Sequence, residues 1–187
     1  VCSRLHSGDN VLELGCGYGR VTLRLAAVAT RVVGIDTSTD SLDLARELDA
    51  SRRCEYLRMD ALRLTFRDDC FDAVVCVQNG VCAFGVDQVA LVREALRVTR
   101  PGGGVILSTY TDAFWPERLA WFEAQASEGL VGAIDHRCSR EGVIVCTDGF
   151  RAGRMAAREF AALGAAVGRA AKLTEVDASS LFCEFVK

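Results

Sequence analysis

Strand-like and helix-like patterns alternate through the first 110 residues. Short apolar and β-branched runs at 10–14, 31–35, 54–59, 71–77 and 104–110 read as strands, the second running into Asp36 and the third into Asp60. The 71–77 run has the apolar density of a strand buried on both faces, as at the centre of a parallel sheet. Stretches 19–28, 40–50 and 87–98 carry helical spacing. Ser38 or Thr39 can cap the second of these, and Arg100-Pro101-Gly102-Gly103 reads as a breaker after the third. Repeated βα units of this kind predict an α/β, doubly wound parallel sheet.

The remainder reads differently. Residues 113–128 have helical spacing, with Trp115, Leu119, Trp121 and Phe122 among the apolar positions. Residues 136–150 hold the run 143–146 and a Thr147-Asp148-Gly149 turn, and predict a β-hairpin. A helix at 156–167 follows, then two strands at 171–176 and 181–186 joined by a polar turn.

A chain of 187 residues, half of them hydrophobic, fits one domain with a sizeable core. A net charge of -3 and a pI near 5.5 argue against nucleic acid as partner. No apolar run approaches the ~18 residues that span a bilayer, and no signal peptide is visible. No membrane association and a cytoplasmic location are therefore expected. The nine cysteines match no zinc spacing and make a poor disulfide framework, so no metal site is expected and most thiols read as small core hydrophobes. A soft-metal or metalloid role for Cys82, Cys138 and Cys146 is the competing reading. The chain starts at Val1 and reaches its first strand at Asn10, which leaves room for a missing N-terminal lid.

The densest signal is Glu13-Leu14-Gly15-Cys16-Gly17-Tyr18-Gly19, a strand end running into a glycine turn and a helix. Such a turn lets a ligand lie against the backbone, and the helix start favours an anionic group. A dinucleotide fingerprint needs glycine at the sixth position, but Arg20 stands there from Gly15 and Thr22 from Gly17. No P-loop is present either.

This acidic-x-G-x-G-x-G pattern resembles the first motif of the class I S-adenosylmethionine-dependent methyltransferases. Four further stretches are similar to that family in the right order: Gly34-Ile35-Asp36, Met59-Asp60-Ala61, Phe71-Asp72-Ala73-Val74-Val75, and the turn from Leu96 to Gly103. The resemblance covers about residues 8–110. It implies a Rossmann-like sheet of seven strands, mostly parallel with an antiparallel final strand. It implies S-adenosyl-L-methionine as cofactor and S-adenosyl-L-homocysteine as product. Gly15, Gly17 and Gly19, with Glu13, Cys16 and Tyr18, would hold the methionine end. Asp36 and Thr37 would hold the ribose, and Asp60 and Ala61 would meet the adenine. Gln78 and Asn79 complete the implied cofactor set. Asp36 and Asp60 read alone as loop carboxylates or helix caps, and Glu13 as a brace for the glycine turn; Asp72 reads as structural.

The acceptor is less legible. In the family, the segment Gln78-Asn79-Gly80-Val81 would face the transferable methyl group; Asn79 could orient an acceptor or simply form an Asn-Gly turn. The proline motif of exocyclic-amine DNA enzymes and the Pro-Cys nucleophile of cytosine enzymes are both absent here. Residues 111–152 look like an insertion that covers a substrate. Its aromatics could wall a dry pocket, or Trp121 and Phe122 could form the apolar face of a docking helix. Asn79, Tyr110 and His136 are the candidate catalytic residues, for positioning or as base; a loop histidine is equally a solvated one. A small-molecule methyl acceptor is the expected partner. A thiol or metalloid methyltransferase, a protein methyltransferase and a non-catalytic cofactor-binding subunit stay open as alternatives.

Overall fold

The computed structural model describes residues 1–187. Seven strands form one sheet: β1 (Asn10–Leu14), β2 (Arg31–Asp36), β3 (Cys54–Arg58), β4 (Phe71–Cys76), β5 (Thr99–Tyr110), β8 (Lys172–Val176) and β9 (Ser180–Val186). A separate two-stranded ribbon joins β6 (Ile144–Val145) to β7 (Arg151–Ala152). The large sheet runs β3-β2-β1-β4-β5-β9-β8. All neighbours from β3 to β5 are parallel, whereas β9 is antiparallel to both β5 and β8. This is the Rossmann-like, seven-stranded arrangement with its antiparallel final strand. The strand order reverses beside β1, and in open α/β sheets ligands bind at that switch point.

The helices are α1 (Arg20–Leu25), α2 (Thr39–Leu48), α3 (Gly80–Ala83), α4 (Gln88–Val98), α5 (Trp115–Ser127) and α6 (Ala157–Val167). Side chains alternate strictly across the central strands. Leu12, Leu14, Val33, Ile35, Val74 and Cys76 point into the larger core, which α4 and α6 cover with Leu91, Val92, Ala95, Phe160 and Leu163. Val11, Val32, Ala73 and Val75 point the other way, onto Leu25 and Ala26. Two buried faces explain why these strands read as unbroken apolar runs. Ser38 caps α2 by accepting the Ser41 N–H, and Asp87 caps α4 through the Val89 and Ala90 N–H groups.

Three expectations shift. The helix stops at Val98 as expected, but β5 begins at Thr99 rather than Gly104, and the Arg100-to-Gly103 segment is a bulge inside it: Phe71 pairs with Thr99, and Ala73 with Gly104. Gly103 is needed there, because a Cβ would sit 2.5 Å from the Asp72 carbonyl oxygen. The hairpin lies further along than expected, since its second strand is 151–152, beyond the Asp148-Gly149 turn. Trp121 and Phe122 do not share a buried face: Phe122 packs with Ile144 and Cys146, while Trp121 is 56% exposed. Neighbouring helical positions point about 100° apart, so one of the two must leave the core. Asp72 does the structural work expected of it, accepting the Asn10 N–H at 2.7 Å and pairing with Arg100. No helix is long and apolar enough to cross a membrane.

Candidate active site

β1 delivers the chain into a turn in which Gly15, Gly17 and Gly19 have φ of +69°, +53° and +83°. Non-glycine residues avoid this region, so the alternate glycines are dictated by the backbone path. The Cys16 N–H donates to the Ile35 carbonyl at 2.9 Å, and the Gly17 N–H to Asp36 Oδ2 at 2.9 Å. Asp36 Oδ1 accepts the Ser38 N–H. The carboxylate that ends β2 thus braces the turn that follows β1. An ionised carboxylate has about four acceptor positions, so Asp36 can still receive two hydroxyl donors.

Glu13 lies beneath this turn, only 4% exposed. It accepts the Thr22 hydroxyl at 2.5 Å, which ties α1 to β1. Burial pushes its carboxyl up to about 7, against the lowering effect of Thr22 and of nearby Arg20.

A cleft of about 260 Å³ opens beside the turn. Of the expected cofactor residues it gathers Gly15, Asp36, Thr37, Asp60 and Ala61. It adds Ile35 and Met59, which flank the two carboxylates in their motifs, and Leu62, Phe84 and Val86, which no motif marks in the sequence. The Phe84 ring lies so close to Gly15 that a Cβ there would come within 2.4 Å of it. Asp60 gives one oxygen to the Leu62 N–H at 2.9 Å and keeps the other free. Apolar walls with two carboxylates among them suit a nucleoside: a flat base between the walls, ribose hydroxyls on Asp36 and an exocyclic amine on Asp60.

The other expected residues are placed as follows. Tyr18 stands half-exposed on the glycine turn. The Cys16 side chain faces inward, packing with Leu42, Ala45 and Tyr56. Gln78 and Asn79 both adopt left-handed backbone, φ +57° and +68°, at the end of β4. Strained backbone of this kind concentrates at functional sites. The Gln78 side chain accepts from the Arg20 guanidinium, bridging the ends of β4 and α1. Asn79 is buried, donates to the Gly153 carbonyl at 2.8 Å and accepts from Thr109 at 2.8 Å. Tyr110 stacks on Phe114 and lies under Arg118, whose guanidinium carbon is 5.1 Å from the ring centre. Arg118 also donates to the Gly153 carbonyl, so Asn79 and Tyr110 belong to one network. His136 stays outside it, its side chain 63% exposed and its ring 3.7 Å from Glu123.

All nine cysteines are free. Burial pushes the Cys82 and Cys54 thiols up to about 11, and Cys16 and Cys183 to about 12. No three potential metal ligands converge anywhere in the molecule.

Residues 11–103 match a family model described as a methyltransferase domain. That match spans the glycine turn, both cleft carboxylates and the bulge of β5. This is a class I S-adenosylmethionine-dependent methyltransferase domain. Its cofactor is S-adenosyl-L-methionine. The methyltransferase domain is 30% identical over 161 residues to a cypemycin N-terminal methyltransferase of Streptomyces sp, covering 84% of this chain and 62% of that protein. It is 34% identical over 110 residues to a demethylmenaquinone methyltransferase of Clavibacter sepedonicus, covering 56% of this chain and 42% of that one. The chain therefore spans roughly half the length of these curated relatives. A solved S-adenosylmethionine-dependent methyltransferase from Methanosarcina mazei shares the fold, with a TM-score of 0.73, 19% identity, and coverage of 99% of this chain and 95% of that one.

Proposed function

We propose that the chain transfers a methyl group from S-adenosyl-L-methionine to a small-molecule acceptor by in-line displacement. The observation that carries the reading is the Asp36 carboxylate, which accepts the Gly17 N–H at 2.9 Å and lines the nucleoside cleft. The cofactor, when bound, supplies an already activated methyl sulfonium. What remains for the protein is to align the partners and exclude water.

The glycine turn and Asp36 hold the donor, with Thr37, Asp60 and Ala61 along the nucleoside. Asn79 is a positioning residue in this reading. Its amide locks the Gly153 segment onto β5, so the chain leaving the hairpin lies across the carboxyl end of the sheet. Residues 111–152 serve as the acceptor's cover, with Tyr110 at its hinge on β5. His136 is the candidate base for acceptors that arrive protonated, although it stands outside the Asn79–Tyr110 network and beside Glu123.

Calorimetric titration of S-adenosyl-L-methionine checks the donor site. Asp36→Ala removes the ribose acceptors and the Gly17 brace together. Charged hydrogen bonds are worth about 1.5–3 kcal/mol each, so affinity should fall at least tenfold. Unchanged affinity would show that the nucleoside lies elsewhere. Transfer of labelled methyl to a panel of small molecules, with proteins as a separate arm, tests the acceptor class.

A further inference from the structure

A second cavity, of about 850 Å³, shares no residue with the nucleoside cleft. Its wall is unusual for a chain of net charge -3, because four arginines converge on it: Arg140, Arg151, Arg154 and Arg158. Arg140, Arg151 and Arg158 have neither an ion-pair partner nor a side-chain hydrogen bond within the protein. Arg154 pairs with Asp112, yet its Nε is buried without a partner. Of the other carboxylates on the wall, Glu159 is engaged with the Ala156 N–H at 2.6 Å, and Glu141 is alone.

Behind the wall lies a fifth cation. Arg118 is 2% exposed and has no carboxylate within ion-pair reach. Its guanidinium donates only to the carbonyls of Gly142, Ala152 and Gly153 and lies over the Tyr110 and Phe122 rings, and its Nε too is bare. A buried charge without a counter-ion is costly and biases its surroundings toward an anion. α6 also starts on this wall with Ala156 at its N-cap, so no side chain satisfies its first N–H groups.

The cavity adjoins the chain that leaves β5. Its wall includes Arg154 and Ala156. Between them the Met155 N–H donates to Thr109 at 3.2 Å, the same threonine that holds Asn79 at the end of β4. Asp112 stands two residues past the end of β5. The nucleoside cleft thus lies at the ends of β1 to β3, and the arginine cavity beyond the end of β5. Guanidinium groups bind carboxylates and phosphates through paired, planar hydrogen bonds. Most small-molecule pockets are largely apolar, so a wall this polar points to a strongly charged ligand.

We propose that this cavity binds the carboxylate or phosphate group of the methyl acceptor; the assignment to an acceptor rests on the methyl-transfer reading. The test uses the whole chain, first without and then with saturating S-adenosyl-L-homocysteine. Inorganic pyrophosphate and citrate are titrated separately by calorimetry, so that phosphate and carboxylate recognition are distinguished. Both side chains of the double variant Arg151→Gln/Arg158→Gln are exposed and unpaired, so its folding should match wild type. Expected is saturable binding of at least one anion, weakened at least tenfold in the double variant, with homocysteine-product affinity unchanged within twofold. In a methyl-transfer panel of acids, phosphates and their neutral amides or esters, the anionic members should be turned over. For them the acceptor KM should rise in the double variant and the cofactor KM should not.

Absence of saturable binding, equal binding by the variant, or turnover of neutral acceptors that neither anion inhibits overturns the proposal. Failure of S-adenosyl-L-homocysteine to bind instead overturns the methyl-transfer reading, and the anion titrations without it still report on the cavity.

Discussion

Replacing Glu13 by glutamine should remove a pH dependence from the stability of the fold. The glutamine oxygen can still accept the Thr22 hydroxyl, so the substitution chiefly deletes the titrating proton. Burial moves the native carboxyl from 4.5 to about 7. A carboxyl raised in this way keeps its proton longer in the folded state than in the unfolded one. Between those two values the native state binds more protons, so stability falls as pH rises through the window and levels off above it. Each unit is worth about 1.4 kcal/mol, so between pH 5 and pH 8 wild type should lose about 2–3 kcal/mol through this group. Urea unfolding at the two pH values, followed by linear extrapolation, measures the loss. Glu13→Gln should lose less by that amount. If the two proteins lose stability in parallel to within about 0.5 kcal/mol, Glu13 is already ionised in the fold and the burial argument fails.

Two further substitutions probe the frame around the site. Gly19→Ala forces a side chain into left-handed backbone, with its Cβ 2.7 Å from the Tyr56 hydroxyl oxygen; a loss of about 1–2 kcal/mol in urea unfolding is expected from the backbone alone. Arg118→Met leaves the Gly142, Ala152 and Gly153 carbonyls without their donor. It should cost about 2–4 kcal/mol and raise amide hydrogen exchange across 142–153 ahead of β1 and β4.

The parallel half of the fold was legible because its signals are local. Each central strand is apolar on both faces, each helix between them has a cap or a face, and Asp36 ends β2 while Asp60 stands just past β3, both on the cleft. The glycine turn could be read because three left-handed positions in five residues favour glycine at each. What escaped depends on distant partners. Phe84 has no motif, yet it reaches the cleft because α3 folds it against Gly15. Pro101 and the glycines after it look like a stop in sequence, but pairing with β4 and β9 turns that stop into a bulge. Arg118 reads as an ordinary polar position of an amphipathic helix. Only the hairpin, returning more than twenty residues later, buries it beneath three carbonyls. The four arginines of the cavity wall are spread over the hairpin, the chain after it and the first turn of α6, and only the fold brings them together.

The strand order also has a consequence for synthesis. β5 pairs on one side with β4, which emerges before it, and on the other with β9, which emerges last. While the chain is being made, the whole of 111–179 must pass before that second edge is covered. Until then β5 offers a free row of backbone donors and acceptors beside an apolar surface, a template for unwanted pairing. The long sequence separation between β5 and β9 also makes this closure slow relative to the helical contacts. When it comes, it reaches as far as the bulge, where the Lys187 N–H donates to the Gly103 carbonyl. A nascent chain halted short of residue 180 would keep the donor cleft's strands while presenting a sticky flank, and would be a natural client for a holding chaperone.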